Sequence, residues 1–276
     1  MLNLIKPRNF TNLQSPNMPK SFKTKKSLGQ HILIDPNIIR KITDSIPVKK
    51  NDLVIEIGPG TGALTRELAE RFDNLILIEI DKRAVEVLEE EFPGLRIHKE
   101  DVLKTDWHKI TPGYDRVHVV GNLPYYITSQ ILFSVMEARS LLNSLTFMMQ
   151  KEVAERIVAA PDTKEYGILS VQLQLFSNPE ILFDVSPHVF RPKPKVWSSV
   201  VRFTFDKDQP ACGDENLKKV VRTAFNQRRK KLSNALKSLD VKLPADEFDF
   251  DKRAGAWPPE MYAKLTARLE QLGTTD

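Results

Sequence analysis

The chain has 276 residues, enough for one sizeable core and a smaller appended domain. Cys212 is its only cysteine, which excludes an intrachain disulfide, a secreted disulfide scaffold and a cysteine-rich zinc centre. Lys and Arg exceed Asp and Glu by 41 to 36, a net charge of +5 that carries information only where the excess concentrates.

It concentrates first at the start of the chain. Residues 1–34 hold Lys6, Arg8, Lys20, Lys23, Lys25 and Lys26 and no acid. This stretch lacks the apolar core of a signal peptide, and it is Asn- and Pro-rich with a single Arg, which fits an organelle transit peptide poorly. Residues 1–20 read as a flexible basic arm. No apolar run approaches the roughly 20 residues of a membrane span, so the expected location is the cytoplasm, without a membrane partner.

From about residue 52 short apolar runs alternate with amphipathic stretches. Leu53 to Ile57, Leu75 to Ile80, Leu95 to His98, Val117 to Val120 and Leu145 to Met149 predict buried strands. Ala63 to Arg71, Lys82 to Phe92 and Ile131 to Arg139 carry apolar residues three and four apart and predict helices. Strict alternation implies right-handed crossovers and a parallel sheet covered on both faces. The expected fold is α/β, a doubly wound Rossmann-like sheet over residues 21–206. Beyond Asp206 the pattern predicts helices at Glu215 to Leu239 and Pro259 to Leu272, hence a small helical domain over 207–276.

The first predicted strand runs into Glu56-Ile57-Gly58-Pro59-Gly60-Thr61-Gly62. Glycines at such a turn let the backbone approach a ligand and let the following helix pack tightly. Glu79 lies twenty-one positions beyond Gly58, placed to accept from both ribose hydroxyls of an adenosine. Asp101, at the end of the third strand, is placed to accept from an adenine amino group. A nicotinamide dinucleotide site carries the same broad signature, Glu79 could be a solvated strand end, and Asp101 a turn cap. The G-x-G-x-G spacing, its internal Pro and the preceding Glu56 resemble methyltransferases more than dehydrogenases, which implies S-adenosylmethionine.

After the fourth strand stands Gly121-Asn122-Leu123-Pro124-Tyr125-Tyr126, where a second substrate should meet the cofactor. An adenine amine is a poor nucleophile because its lone pair is delocalised into the ring. The Asn122 side-chain oxygen and the Leu123 carbonyl would accept its hydrogens, Pro124 would fix the turn, and Tyr125 would stack on the base. The chemistry is then positioning and calls for no metal. Asn and Pro are also ordinary turn residues.

These motifs, with Leu28-Gly29-Gln30-His31-Ile32-Leu33, Gln150 to Val153, Phe190 to Val196 and Ala224 to Lys230, resemble the bacterial small-subunit (16S) ribosomal RNA adenine N6,N6-dimethyltransferases from about Lys26 to near Leu239. The resemblance implies two methyl groups on each of two adjacent adenines in a hairpin near the RNA 3′ end, with the small ribosomal subunit and its pre-30S precursor as partners. It assigns His31 and Leu33 to a cofactor lid, Gly58, Gly60, Glu79, Asp101 and Asn122 to cofactor contact, and Phe190 to a second stacking face opposite Tyr125. Three positions depart from the family pattern: His31-Ile32 stands where Asn-Phe is usual, and Tyr126 and Trp197 replace more usual polar residues.

The remaining basic clusters predict RNA contacts at Lys25, Lys26, Arg191, Lys193, Lys195, Arg222, Arg228, Arg229 and Lys230, since single-sign density suits phosphate neutralisation. Two other readings stay open. A large-subunit adenine methyltransferase of the antibiotic-resistance type shares the site, although that group usually has Ile at Leu123 and lacks the Gly-Pro-Gly turn. A non-catalytic RNA-binding assembly factor would use the same fold. Nothing in the pattern demands more than a monomer.

Overall fold

The computed structural model describes residues 31–49 and 51–273. Lys25, Lys26, the Leu28–Gln30 part of the first motif and the basic arm of residues 1–20 lie outside them. The chain divides into two compact units, one running through Lys151 with Glu180–Phe205, the other comprising Glu152–Pro179 and the residues from Asp206 onward.

In the first unit, a helix α1 (Pro36–Asp44) precedes a seven-stranded sheet. Asp35 caps α1, its carboxylate accepting from Asn37 N at 2.8 Å and Ile38 N at 3.3 Å, and Pro36 takes the first helical position, where its missing N–H costs nothing. The strands are β1 (Leu53–Ile57), β2 (Leu75–Ile78), β3 (Arg96–His98), β4 (Val117–Asn122), β5 (Ser144–Gln150), β6 (Asn178–Val185) and β7 (Ser198–Thr204), in the order β3-β2-β1-β4-β5-β7-β6. Helices α2 (Ala63–Arg71), α3 (Lys82–Glu91), α4 (Trp107–Ile110) and α5 (Thr128–Glu137) fall between the strands.

From β3 through β5 the pairings are parallel, and every residue of β1 is buried, as a strand covered on both faces must be. Leu64 and Leu68 of α2, Leu88 of α3 and the adjoining Phe92 pack with Val54, Leu75 and Leu77 in one core. The expectation of a wholly parallel sheet is corrected at the far side, where β7 runs antiparallel to β5 from Gln150↔Ser198 to Ser144↔Thr204. Neither β6 nor β7 was predicted. The residues of β6 are mostly half-buried or exposed, which blurs its pattern, and β7 follows a basic stretch that is conspicuous for charge instead. Outside this sheet, Ile32–Leu33 and Phe190–Arg191 form a two-stranded antiparallel ribbon.

The second unit is helical: α6 (Lys151–Val158) leads into it, followed by α7 (Ile168–Phe176), α8 (Asp214–Asn226), α9 (Leu232–Ala235) and α10 (Pro259–Gln271). Its core is aromatic. The Tyr166 hydroxyl donates to Trp257 O at 2.9 Å, the Tyr262 hydroxyl to Ala254 O at 2.6 Å, and the Trp257 and Tyr262 rings meet edge-on at 5.5 Å. Residues 152–179, expected within the first domain, cluster here because the apolar α7 packs against α8 and α10. The helix predicted over Glu215 to Leu239 stops at Asn226 and resumes only at Leu232. Leu232 N and Ser233 N, at the restart, donate instead to Lys252 O at 2.8 Å and Phe250 O at 3.0 Å.

Candidate active site

The carboxyl ends of β1, β2 and β4 converge on one cavity of about 280 Å³. Its floor is the turn from β1 into α2. Gly58, Gly60 and Gly62 adopt φ of +65°, +56° and +80°, a left-handed conformation strained for any other residue. A Cβ on Gly62 would also lie 2.7 Å from the Phe92 ring, whereas Gly58 and Gly60 face open space. Backbone can therefore approach a ligand closely at the latter two.

Glu79 follows β2 and is locked by the same turn. One carboxylate oxygen accepts from Gly60 N at 3.0 Å and the other from Asp81 N at 2.8 Å. Burial pushes the Glu79 carboxyl above the usual range, and these backbone donors partly oppose the rise. A carboxylate has about four lone-pair sites, so two bonds leave capacity for ligand hydroxyls. Glu56, fully buried beneath the turn, accepts from the Thr65 hydroxyl at 2.7 Å. Desolvation raises its pKa to about 8, with the Thr65 bond lowering it and the charge of Glu79 adding to the rise.

Asp101 lines the cavity and also caps a short turn, accepting from Leu103 N at 3.0 Å. Ile80 was missed as a site residue. It reads as the end of a strand, but β2 stops at Ile78, leaving Ile80 58% exposed on the cavity wall. The available signal was an aliphatic side chain beside an acid just past the strand. Gly121 is structural: a Cβ there would meet the Ile57 carbonyl oxygen at 2.6 Å, so only glycine lets β4 lie this close to β1.

The turn after β4 is held by long-range bonds. The Asn122 amide nitrogen donates to His31 O at 2.9 Å, which leaves the side-chain oxygen as the acceptor end. Leu123 is buried and its N donates to Met148 O at 3.0 Å. Pro124 sits at φ −65°, its natural value. The Tyr125 hydroxyl is 2.7 Å from Ser198 Oγ, and burial raises its pKa, keeping the phenol neutral. The His31 imidazole stacks on Tyr125 with centroids 5.3 Å apart, and its Nδ1 donates to Pro192 O at 2.8 Å.

Leu33 lines the cavity, but Phe190 does not. Paired with Leu33 across the ribbon, Phe190 is 0% exposed and belongs to the core with Val185 and Val200. Phe190 thus lies outside the cavity lining in this structure, and the ring found against Tyr125 is that of His31. Of the predicted RNA-contact residues, Arg191, Lys193 and Lys195 are exposed in the first unit, and Arg222, Arg228, Arg229 and Lys230 are exposed in the second. Among the described residues no helix is long and apolar enough to cross a membrane.

The chain is similar to known proteins over most of its length. A family model described as "Ribosomal RNA adenine dimethylase" matches residues 21–254. The "Ribosomal RNA small subunit methyltransferase A" of Salinibacter ruber is 45% identical over 96% of this chain and 92% of its own length. A crystal structure of a dimethyladenosine transferase from Plasmodium falciparum superposes with a TM-score of 0.74 at 27% identity, over 88% of this chain and 98% of that one. The 23S rRNA methyltransferase ErmE superposes with a TM-score of 0.60, also at 27% identity, over 87% and 99%. By the family match over residues 21–254 and the 45% identity to a relative covered almost end to end, the chain belongs to the ribosomal RNA adenine dimethylase family.

Proposed function

We propose that this chain uses S-adenosylmethionine to dimethylate the N6 amino groups of two adjacent adenines in a hairpin near the 3′ end of small-subunit (16S) ribosomal RNA. It does so as a cytoplasmic monomer acting on the small subunit or its pre-30S precursor. Glu79 would accept from the ribose hydroxyls, Asp101 from the adenine amino group, and Ile80 would cover the adenine face, while Gly58 and Gly60 admit the methionine portion. Bound there, the cofactor supplies an electrophilic methyl group on a sulfonium.

The observation that carries the reading is the orientation of Asn122. With its amide nitrogen committed to His31 O, its oxygen is the end available to accept a hydrogen bond from one N–H of an adenine amine, and the Leu123 carbonyl would accept from the other. Each methyl transferred releases one N–H proton to solvent, so one N–H remains for the second round. Tyr125, pinned by Ser198 and carrying His31 on one side, would stack the everted purine on its opposite face. Stacking offsets part of the few kcal/mol needed to extrude a base. Positioning of this kind supplies a large share of a transfer barrier.

Asn122→Ala should abolish methyl transfer to unmethylated small subunits while the protein stays folded. Transfer at the wild-type rate would remove Asn122 from the mechanism. Offering both ribosomal subunits separately tests the substrate, and labelling of the large one alone would replace this reading by the ErmE-like one.

A further inference from the structure

We infer that Trp197 is a stacking platform for an unpaired base of the RNA strand next to the target adenine. This rests on the proposed function and adds a contact to it. The chain has three tryptophans. Trp107 and Trp257 are 6% and 2% exposed, as core residues are, but Trp197 is 52% exposed. It borders a shallow groove of about 500 Å³ with His188, Lys193, Pro194 and Lys195, and no acid lines that groove.

The position ties the indole to the active turn. The Trp197 carbonyl accepts from Lys151 N at 2.9 Å, which fixes the backbone at the entry to β7. The next residue, Ser198, holds the Tyr125 hydroxyl. Trp197 thus sits one residue from a direct contact with the turn that grips the adenine. Extruding that adenine unstacks its neighbours. A neighbour then gains a π face on Trp197, with Lys193, Lys195 and the exposed Arg191 near its phosphates. Aromatic faces set among cations are the combination by which unpaired nucleic acid is held. An acidic peptide would use the cations but gain nothing specific from an exposed indole.

Trp107 and Trp257 also emit but are buried, so the quenching owed to Trp197 is the part that is missing from Trp197→Phe. A single-stranded oligoadenylate should quench the full-length protein saturably, and polyglutamate of matched charge should not. Trp197→Ala should raise the KM for unmethylated small-subunit RNA about tenfold with the cofactor Kd and Tm unchanged, and Trp197→Phe should restore most of the loss. A wild-type KM in Trp197→Ala, or quenching by polyglutamate equal to that by oligoadenylate, overturns the assignment while leaving the methylation reading intact. If the wild-type protein in the same reactions transfers no methyl groups to that RNA, both fall together.

Discussion

Replacing Glu56 by Gln offers a quantitative test of the site's electrostatics. The carboxyl is fully buried, and its pKa is raised from 4.5 to about 8 by desolvation, despite the Thr65 bond. In the cofactor-free protein at neutral pH it is therefore a neutral acid. A carboxyl whose folded pKa exceeds its unfolded one holds an extra proton only in the fold. Its contribution to stability is complete below about pH 4.5, declines as pH rises, and is lost above about 8. At about 1.4 kcal/mol per pH unit, linkage puts the loss between pH 5 and pH 8 at roughly 3 to 4 kcal/mol. Glutamine keeps the oxygen that accepts from Thr65 and does not titrate. Glu79, also raised, and His118, lowered by burial, titrate in both proteins and largely cancel in the difference. Urea denaturation without cofactor at pH 5, 6.5 and 8 should show Glu56→Gln gaining on the wild type as pH rises. Parallel stability profiles for the two proteins would refute the argument that Glu56 is neutral in the empty site.

Phe190→Ala should cost roughly 3 to 5 kcal/mol of stability, as deletion of a fully buried aromatic does, lowering Tm sharply; unchanged Tm with lost catalysis would instead make Phe190 a base contact. Substituting Arg228, Arg229 and Lys230 together by Ala should weaken RNA binding and reduce the slope of log Kd against log salt by about 2 to 3, measured by filter binding over a salt series, and an unchanged slope would clear these residues of phosphate contact.

How much of this was legible in the sequence depended on whether the governing constraint was local. The glycine turn was legible because Gly58, Gly60 and Gly62 each meet a backbone demand that only glycine satisfies, and the α2 boundaries followed from the spacing of Leu64 and Leu68. The place of Asn122 at the cavity was legible because Asn-Leu-Pro-Tyr directly after an apolar run reads as a turn at a strand's carboxyl end. The antiparallel β7 was not, since its partner β5 lies about fifty residues earlier and nothing in Ser198 to Thr204 encodes direction. The break in the predicted helix at Gln227 was missed because the apolar spacing on either side remains in phase, while the diversion comes from Lys252.

Phe190 shows the same limit next to the site. Whether an aromatic beside a basic Pro-rich stretch faces a ligand or a core depends on the ribbon that pairs it with Leu33, a contact between segments at opposite ends of the first unit. The active turn depends on such contacts throughout. Asn122 bonds a carbonyl 91 positions earlier, Tyr125 a hydroxyl 73 positions later, and His31 a carbonyl 161 positions away. Each bond restrains a group at the cavity, and the catalysis by alignment proposed above would need that supporting shell as much as the groups that touch the base. The chemistry of this chain is therefore written in residue types at short range and in tolerances at long range, and only the first of these shows in a linear pattern.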